Sequence, residues 1–152
     1  MRLSEKEITD HCKIEEIIKQ GKICRIGLFS TDFPYIVPMH YGYKNNNLFF
    51  HCAKEGRKID LIKNNPNVCF EIEAFCEIIN TDIPCEWSTK YASVIGTGKA
   101  SIIDNIEDKK SALDIIVNHY AKSDCDFSNK MLENVTIIKI EINKMTGKRS
   151  EE

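Results

Sequence analysis

The 152-residue sequence contains no apolar run near the roughly 18 residues a helix needs to cross a bilayer, which excludes a helical membrane span. Nor does it have an excess of positive charge. Its 21 Lys and Arg stand against 23 Asp and Glu, a net charge of −2, so the domain-wide basic surface of a nucleic-acid binder is missing. No Walker loop, no G-x-G-x-x-G and no G-x-S-x-G occurs, which removes the commonest nucleotide-binding and esterase signatures. Cys-x-x-Cys pairs are absent as well, and the start, MRLSEKEITDHCK, carries charges where a secretion signal has its apolar stretch.

What remains is ordinary globular material, 42% hydrophobic and 29% charged, of a length that fits one domain over residues 1–152. The seven cysteines, at 12, 24, 52, 69, 76, 85 and 125, are odd in number and unpaired in spacing, which points to a reducing cytoplasm. The dipeptides His11-Cys12 and His51-Cys52 lack the close-spaced partners of a zinc site, so no metal is expected. All the cysteines except Cys52 read as small buried or half-buried packing residues.

Hydrophobic periodicity organises the chain. Asp10 is placed to cap a first helix burying Ile14, Ile17 and Ile18 and ending at Gly21. Extended runs follow at 22–30, 35–43 and 48–53, joined by a turn at TDFP and by Lys44-Asn45-Asn46-Asn47, whose asparagines tolerate left-handed turn conformations. Pro38 makes the second run an edge, a bulge or a place where the ladder opens. GRKIDLIKNN reads as a short helix burying Ile59 and Ile62 before Pro66, and NVCFEIEA as a fourth strand. Residues 80–87 read as a loop and KYASVIGTGKASII as a fifth strand, with Gly96 and Gly98 marking a bulge or close contact. A helix over 106–121 carries Leu113, Ile116, Val117 and Tyr120 on its apolar face and Glu107, Asp108, Lys109 and Lys110 on its wet face, and AKSDCDFSNK is a loop. VTIIKIEINKM is the sixth strand, followed by a short tail, TGKRSEE. Six mostly antiparallel strands with two to three short helices make a mainly β fold, a small barrel with helical additions.

The segment His51-Cys52-Ala53-Lys54-Glu55-Gly56-Arg57-Lys58 carries the clearest chemical signal. A helix begins where Lys54, Arg57 and Lys58 gather, an unfavourable placement beside the positive end of a helix dipole unless an anion sits among them. First-turn N–H groups, Gly56 and a two-pronged Arg57 form a phosphate cradle; a solvated basic turn is the competing reading. His40 and Tyr41 lie across the second turn from His51 and Cys52, where polar and aromatic groups can converge. Cys52 is a candidate nucleophile if Lys54 or Arg57 lowers its pKa.

These residues resemble the FMN-binding split-barrel flavoproteins related to pyridoxamine 5'-phosphate oxidase, and within them the nitroimidazole-resistance branch. The resemblance rests on CRIGLFSTDFPYIVPMHYGY, LFFHCAKEGRKIDLIKNNPNVCFEIE, CEW with KYASVIGTGKA, and TGKRS. It implies a six-stranded antiparallel split barrel that pairs as a homodimer, with FMN in clefts at the subunit interface. Arg57 and Lys58 then hold the FMN phosphate, Pro38-Met39-His40-Tyr41 lies against the isoalloxazine, and His51-Cys52 lies beneath the ribityl chain and ring edge. Ser93 resembles a polar contact from a neighbouring strand, and Trp87 and Lys148 resemble contacts made across the dimer. The oxidases proper carry a C-terminal Trp and Arg that grip substrate phosphate; the missing tryptophan in TGKRSEE argues against vitamin B6 synthesis. The function implied is an FMN-dependent oxidoreductase that takes electrons from a reduced nicotinamide or another donor and reduces a small planar acceptor such as a nitroaromatic. His40 or His51 would act as the proton donor. The alternatives are a non-catalytic flavin or heme carrier of the same fold and a cofactor-free interaction module.

Overall fold

A computed structural model describes residues 4–123 and 125–151; position 124 of the expected 121–130 loop lies outside them. The strands are β1 (Glu7–Ile8), β2 (Cys24–Leu28), β3 (Tyr35–Met39), β4 (Gly42–Lys44), β5 (Asn47–Cys52), β6 (Asn67–Ile79), β7 (Ser88–Ile103) and β8 (Thr136–Ser150), and the helices α1 (His11–Gln20), α2 (Arg57–Asn64), α3 (Ile106–Tyr120) and α4 (Asn129–Asn134). All pairings are antiparallel, in the order β3-β2-β6-β7-β8-β5-β4, with β1 added beside β8. The fold is mainly β, with eight strands where six were expected. One addition is the short β1. The other arises because the run 35–43 divides at His40-Tyr41 into β3 and β4, which occupy opposite ends of the sheet order.

That division closes the barrel. Met39 and Gly42 are three Cα steps apart, at most about 11 Å, so the two edges of the sheet must curl toward each other. Among the described residues β3 pairs only with β2, and β4 only with β5. Between the edges the ladder is split. Pro38 is tolerated because β3 is an edge strand and a missing N–H on its open side breaks no ladder bond.

Local chemistry follows the sequence at the element ends. The Asp10 carboxylate accepts from the N–H groups of Cys12 (2.9 Å) and Lys13 (3.5 Å), capping α1, which ends at Gly21. Asn45 (φ 51°) and Asn46 (φ 61°) make the two-residue turn between β4 and β5. In β7 the register shifts between Thr97 and Gly98, and a Cβ at Gly96 would run into the Phe70 ring. Both features place the glycines where a side chain does not fit.

The main core joins Ile14, Ile17 and Ile18 of α1 to the inward residues of β2, β5, β6, β7 and β8, among them Ile26, Phe50, Phe70, Ile72, Val94 and Ile140. β8 is covered on both faces near its start: Ile138 and Ile140 face the barrel, whereas Ile137 meets Leu113 and Ile116 of α3 and Leu132 of α4. This explains the consecutive isoleucines at 137 and 138.

Three expectations are corrected. The stretch TGKRS is not a tail but the end of β8, paired with β7 up to Ser150. Lys109 does not lie on a wet face: it is only 5% exposed, and its ammonium donates to Leu132 O (3.5 Å) where α4 leaves carbonyls without helical partners. Of the cysteines read as packing, only Cys24 is buried; Cys12, Cys69, Cys76 and Cys85 are exposed and Cys125 half-buried. Cys69 points outward because the alternation of β6 turns Val68 and Phe70 inward. Among the described residues no helix is long and apolar enough to cross a membrane.

Candidate functional site

The split between the sheet edges opens into a cleft of about 460 Å³, lined by Val37 to His40 from the end of β3, His51 to Ala53 from the end of β5, Lys58 of α2, and Asn134 and Val135 before β8. His40 and His51 do not face each other across a ladder. They come together because β3 stops at Met39 and β5 continues past the gap. Pro38, Met39, His40, His51, Cys52 and Lys58, all anticipated from sequence, therefore line one cleft.

Beside it stands the N-terminus of α2. Gly56 has φ 128°, a conformation open to glycine and strained for other residues, and a Cβ built there would meet nothing within 4 Å. Because the cap is glycine, no side chain occupies the first-turn N–H groups; that of Ile59 donates to Gly56 O (2.9 Å), and the approach to those of Arg57 and Lys58 is open. None of the ion pairs among the described residues involves Lys54, Arg57 or Lys58. The guanidinium of Arg57 lies 4.7 Å from the Tyr35 ring centroid and donates to Ser30 Oγ at 3.4 Å. Although Asp60 lies in the same turn, side chains of Arg57 and Lys58 outside any ion pair, their own N–H groups and an unfilled space suit an anionic phosphate. Lys54 points elsewhere, into a neighbouring cavity of about 600 Å³ shared with Lys63 and Lys109.

Tyr41 does not line the cleft with its ring. The ring is fully buried, its hydroxyl donates to Ile18 O, and burial pushes its pKa far above the usual phenol range. Its backbone, however, is tied to a group that the sequence showed only as part of a helix face: the Tyr41 N–H donates to Tyr120 Oη (2.9 Å), and that hydroxyl donates to Lys22 O (2.7 Å). The Tyr120 ring meets His40 edge-on with centroids 5.2 Å apart. Next to it, His119 packs 4.5 Å from Tyr41 and 4.8 Å from Tyr120 and shares a 2.8 Å hydrogen bond with Gly21 O. Burial holds its pKa below the ordinary histidine value, so at neutral pH the ring is uncharged and its Nε2–H donates. Asn134 and Val135 were also invisible in the sequence. They reach the cleft because β5 pairs β8 with Cys52 opposite Thr136.

Cys52 is not activated. Burial raises its thiol pKa, and the opposing effect of the Lys58 ammonium is smaller, so the neutral thiol is favoured. The remaining anticipated residues lie outside this cleft. Ser93 of β7 is directly opposite Lys148 of β8, whose ammonium sits 5.5 Å from the Tyr91 ring centroid. Trp87 follows the turn at Pro84–Glu86, donates its indole N–H to Thr81 O (3.0 Å) and is half exposed. An apolar concavity of about 440 Å³ lies on the outer face of β2, β3, β6 and β7, where Phe29, Ile36 and Ile95 are each more than half exposed.

A family model described as pyridoxamine 5'-phosphate oxidase matches residues 10–149. The solved structure of a candidate 5-nitroimidazole antibiotic resistance protein from Bacteroides thetaiotaomicron is 36% identical, with a TM-score of 0.85 over 93% of this chain and 85% of that one. At 14% and 16% identity, a flavocytochrome from Azotobacter vinelandii (TM-score 0.87, all of this chain and 72% of that one) and an FAD- and heme-binding protein from Mycobacterium smegmatis (TM-score 0.85, 97% and 74%) share the fold. An uncharacterized protein of Rhizobium meliloti is 29% identical over 83 residues, 55% of this chain and 48% of its own length, so the match spans about half of that curated relative.

Proposed function

Because the chain belongs to the pyridoxamine 5'-phosphate oxidase family, we propose that it is an FMN-dependent oxidoreductase that reduces a small planar acceptor, with nitroheterocycles as the favoured class. The observation that carries this reading is the convergence of Pro38–His40, His51, Cys52 and Lys58 on one cleft beside the N-terminus of α2, which no side chain caps. Arg57, Lys58 and the first-turn N–H groups hold the phosphate, and the open space over Gly56 lets it approach the backbone. FMN held there would supply the electron chemistry between a reduced nicotinamide and the acceptor. The chain's own part is placement and proton supply. Pro38 and Met39 line the cleft with apolar atoms beside the ring system, and His40 and His51, both on the exposed rim, donate the proton that the reduced acceptor needs. Cys52 contributes a neutral thiol to the wall and no nucleophile.

The site is completed by a second copy of the chain. Two features support a homodimer: the exposed apolar groove around Phe29, Ile36 and Ile95, and the position of Trp87, Ser93 and Lys148 outside the cleft of their own subunit, free to serve the partner's. Free thiols on the surface suit a reducing, cytoplasmic setting. The test is an absorption spectrum of the purified protein followed by FMN fluorescence titration and steady-state assays with reduced nicotinamide and a panel of nitro and quinone acceptors. Flavin bands with turnover support the enzyme. Flavin or heme bands without turnover on any acceptor select the carrier, and a colourless protein that ignores added FMN refutes the reading.

A further inference from the structure

We propose that Tyr120 is the positioning residue for His40: its ring sets the direction of the imidazole in the cleft, and its hydroxyl holds the chain corner from which that imidazole projects. His40 and Tyr41 lie in the two-residue break between β3 and β4, outside both ladders. A backbone N–H in such a break needs a partner, and Tyr41 finds it in Tyr120 Oη at 2.9 Å. The same hydroxyl donates to Lys22 O at 2.7 Å, so one oxygen ties the end of α3 to both the corner and the segment between α1 and β2.

The ring acts on the other half of the problem. His40 is exposed, and an exposed imidazole otherwise samples several rotamers. The Tyr120 ring stands at 89° to it with centroids 5.2 Å apart, an edge-to-face contact that favours one of them. Tyr120 is itself held, by His119 at 4.8 Å, whose Nε2–H is fixed on Gly21 O. Order therefore passes from buried Gly21 at the α1–β2 connection through His119 and Tyr120 to His40, while Tyr120 is not among the residues lining the cleft. For the residue that would face the flavin and acceptor, this converts a mobile surface histidine into a directed one.

The inference rests on the reading of the cleft as an FMN site, and its test separates the two. Tyr120→Phe keeps the ring and removes the hydroxyl; Tyr120→Leu removes both. In wild-type protein without ligand, the His40 imidazole resonances should carry the ring-current displacement of an adjacent aromatic edge, and the Tyr41 amide should exchange slowly. Tyr120→Phe should keep the His40 displacement and accelerate Tyr41 exchange, and Tyr120→Leu should change both. FMN affinity should fall about tenfold in Tyr120→Leu, which loses the edge contact that directs His40 as well as the partner of the Tyr41 N–H, and by less in Tyr120→Phe, which loses only that partner. The proposal is overturned if Tyr120→Leu leaves the His40 resonances unchanged, or if both variants lose affinity equally with His40 unmoved, the mark of a purely structural role. Should Tyr120→Leu fail to fold, the Phe variant decides by Tyr41 exchange: unaltered exchange refutes the hydroxyl's role. Wild-type protein that binds no FMN overturns the proposed function, whereas the His40 and Tyr41 readouts still judge Tyr120.

Discussion

Replacing Arg57 and Lys58 together by alanine tests the phosphate site most directly, because the structure separates its effect on binding from its effect on folding. Neither residue forms an ion pair among the described residues, and the protein contacts of Arg57 are the Tyr35 ring and a 3.4 Å hydrogen bond to Ser30 Oγ. Losing an exposed cation–π contact of this kind costs the unliganded fold less than about 1 kcal/mol. A phosphate held by both side chains loses two charge-assisted hydrogen bonds of roughly 1.5–3 kcal/mol each, and an open cleft puts each near the lower value. The double variant should therefore lose about 3 kcal/mol of binding, or on the order of 100-fold in Kd. FMN fluorescence titration measures this at low and high salt, with riboflavin, which has no phosphate, as the control. Wild-type affinity for FMN should fall with ionic strength and that of the variant should fall much less, while riboflavin binds both proteins alike. Unchanged FMN affinity, or an equal loss for riboflavin, would refute the assignment of the phosphate to this helix end.

Three further outcomes follow from the geometry. Gly96→Ala drives a Cβ into the Phe70 ring and should destabilise the fold by roughly 1–3 kcal/mol, read as a lower urea midpoint with an unchanged m-value. His119, with its pKa depressed by burial, contributes stability that is present above the unfolded histidine value near 6.5 and lost as pH falls through the lower folded one. As pH falls through the unfolded histidine value near 6.5, the wild type should therefore lose stability more steeply than His119→Gln, which keeps a donor for Gly21 O and cannot titrate; parallel curves would refute this role of His119. Ile36→Lys places a charge in the apolar groove and should shift a dimer to monomer by light scattering, with FMN affinity falling in step; a monomeric wild type would end the shared-site proposal.

Much of this protein was legible in one dimension because the relevant physics is local. Asp10, Asn45-Asn46 and Gly56 announce their elements through side-chain capping and permitted backbone angles, which depend on a few adjacent residues. Alternation along 67–72 and 136–142 identifies the inward faces of β6 and β8 in the same way. The gathering of Lys54, Arg57 and Lys58 at a helix start is likewise an electrostatic conflict visible without coordinates. What sequence could not decide was which distant segments share a space. The division of 35–43 into β3 and β4, the divergence of Lys54 from Lys58 into separate cavities, the burial of Lys109 against α4, and the reach of Tyr120 to His40 all depend on barrel closure. Periodicity reports which side of an element is apolar, but not what covers it, and only the folded sheet with its helices brings residues 40, 51 and 58 to one cleft and residue 120 to residue 40.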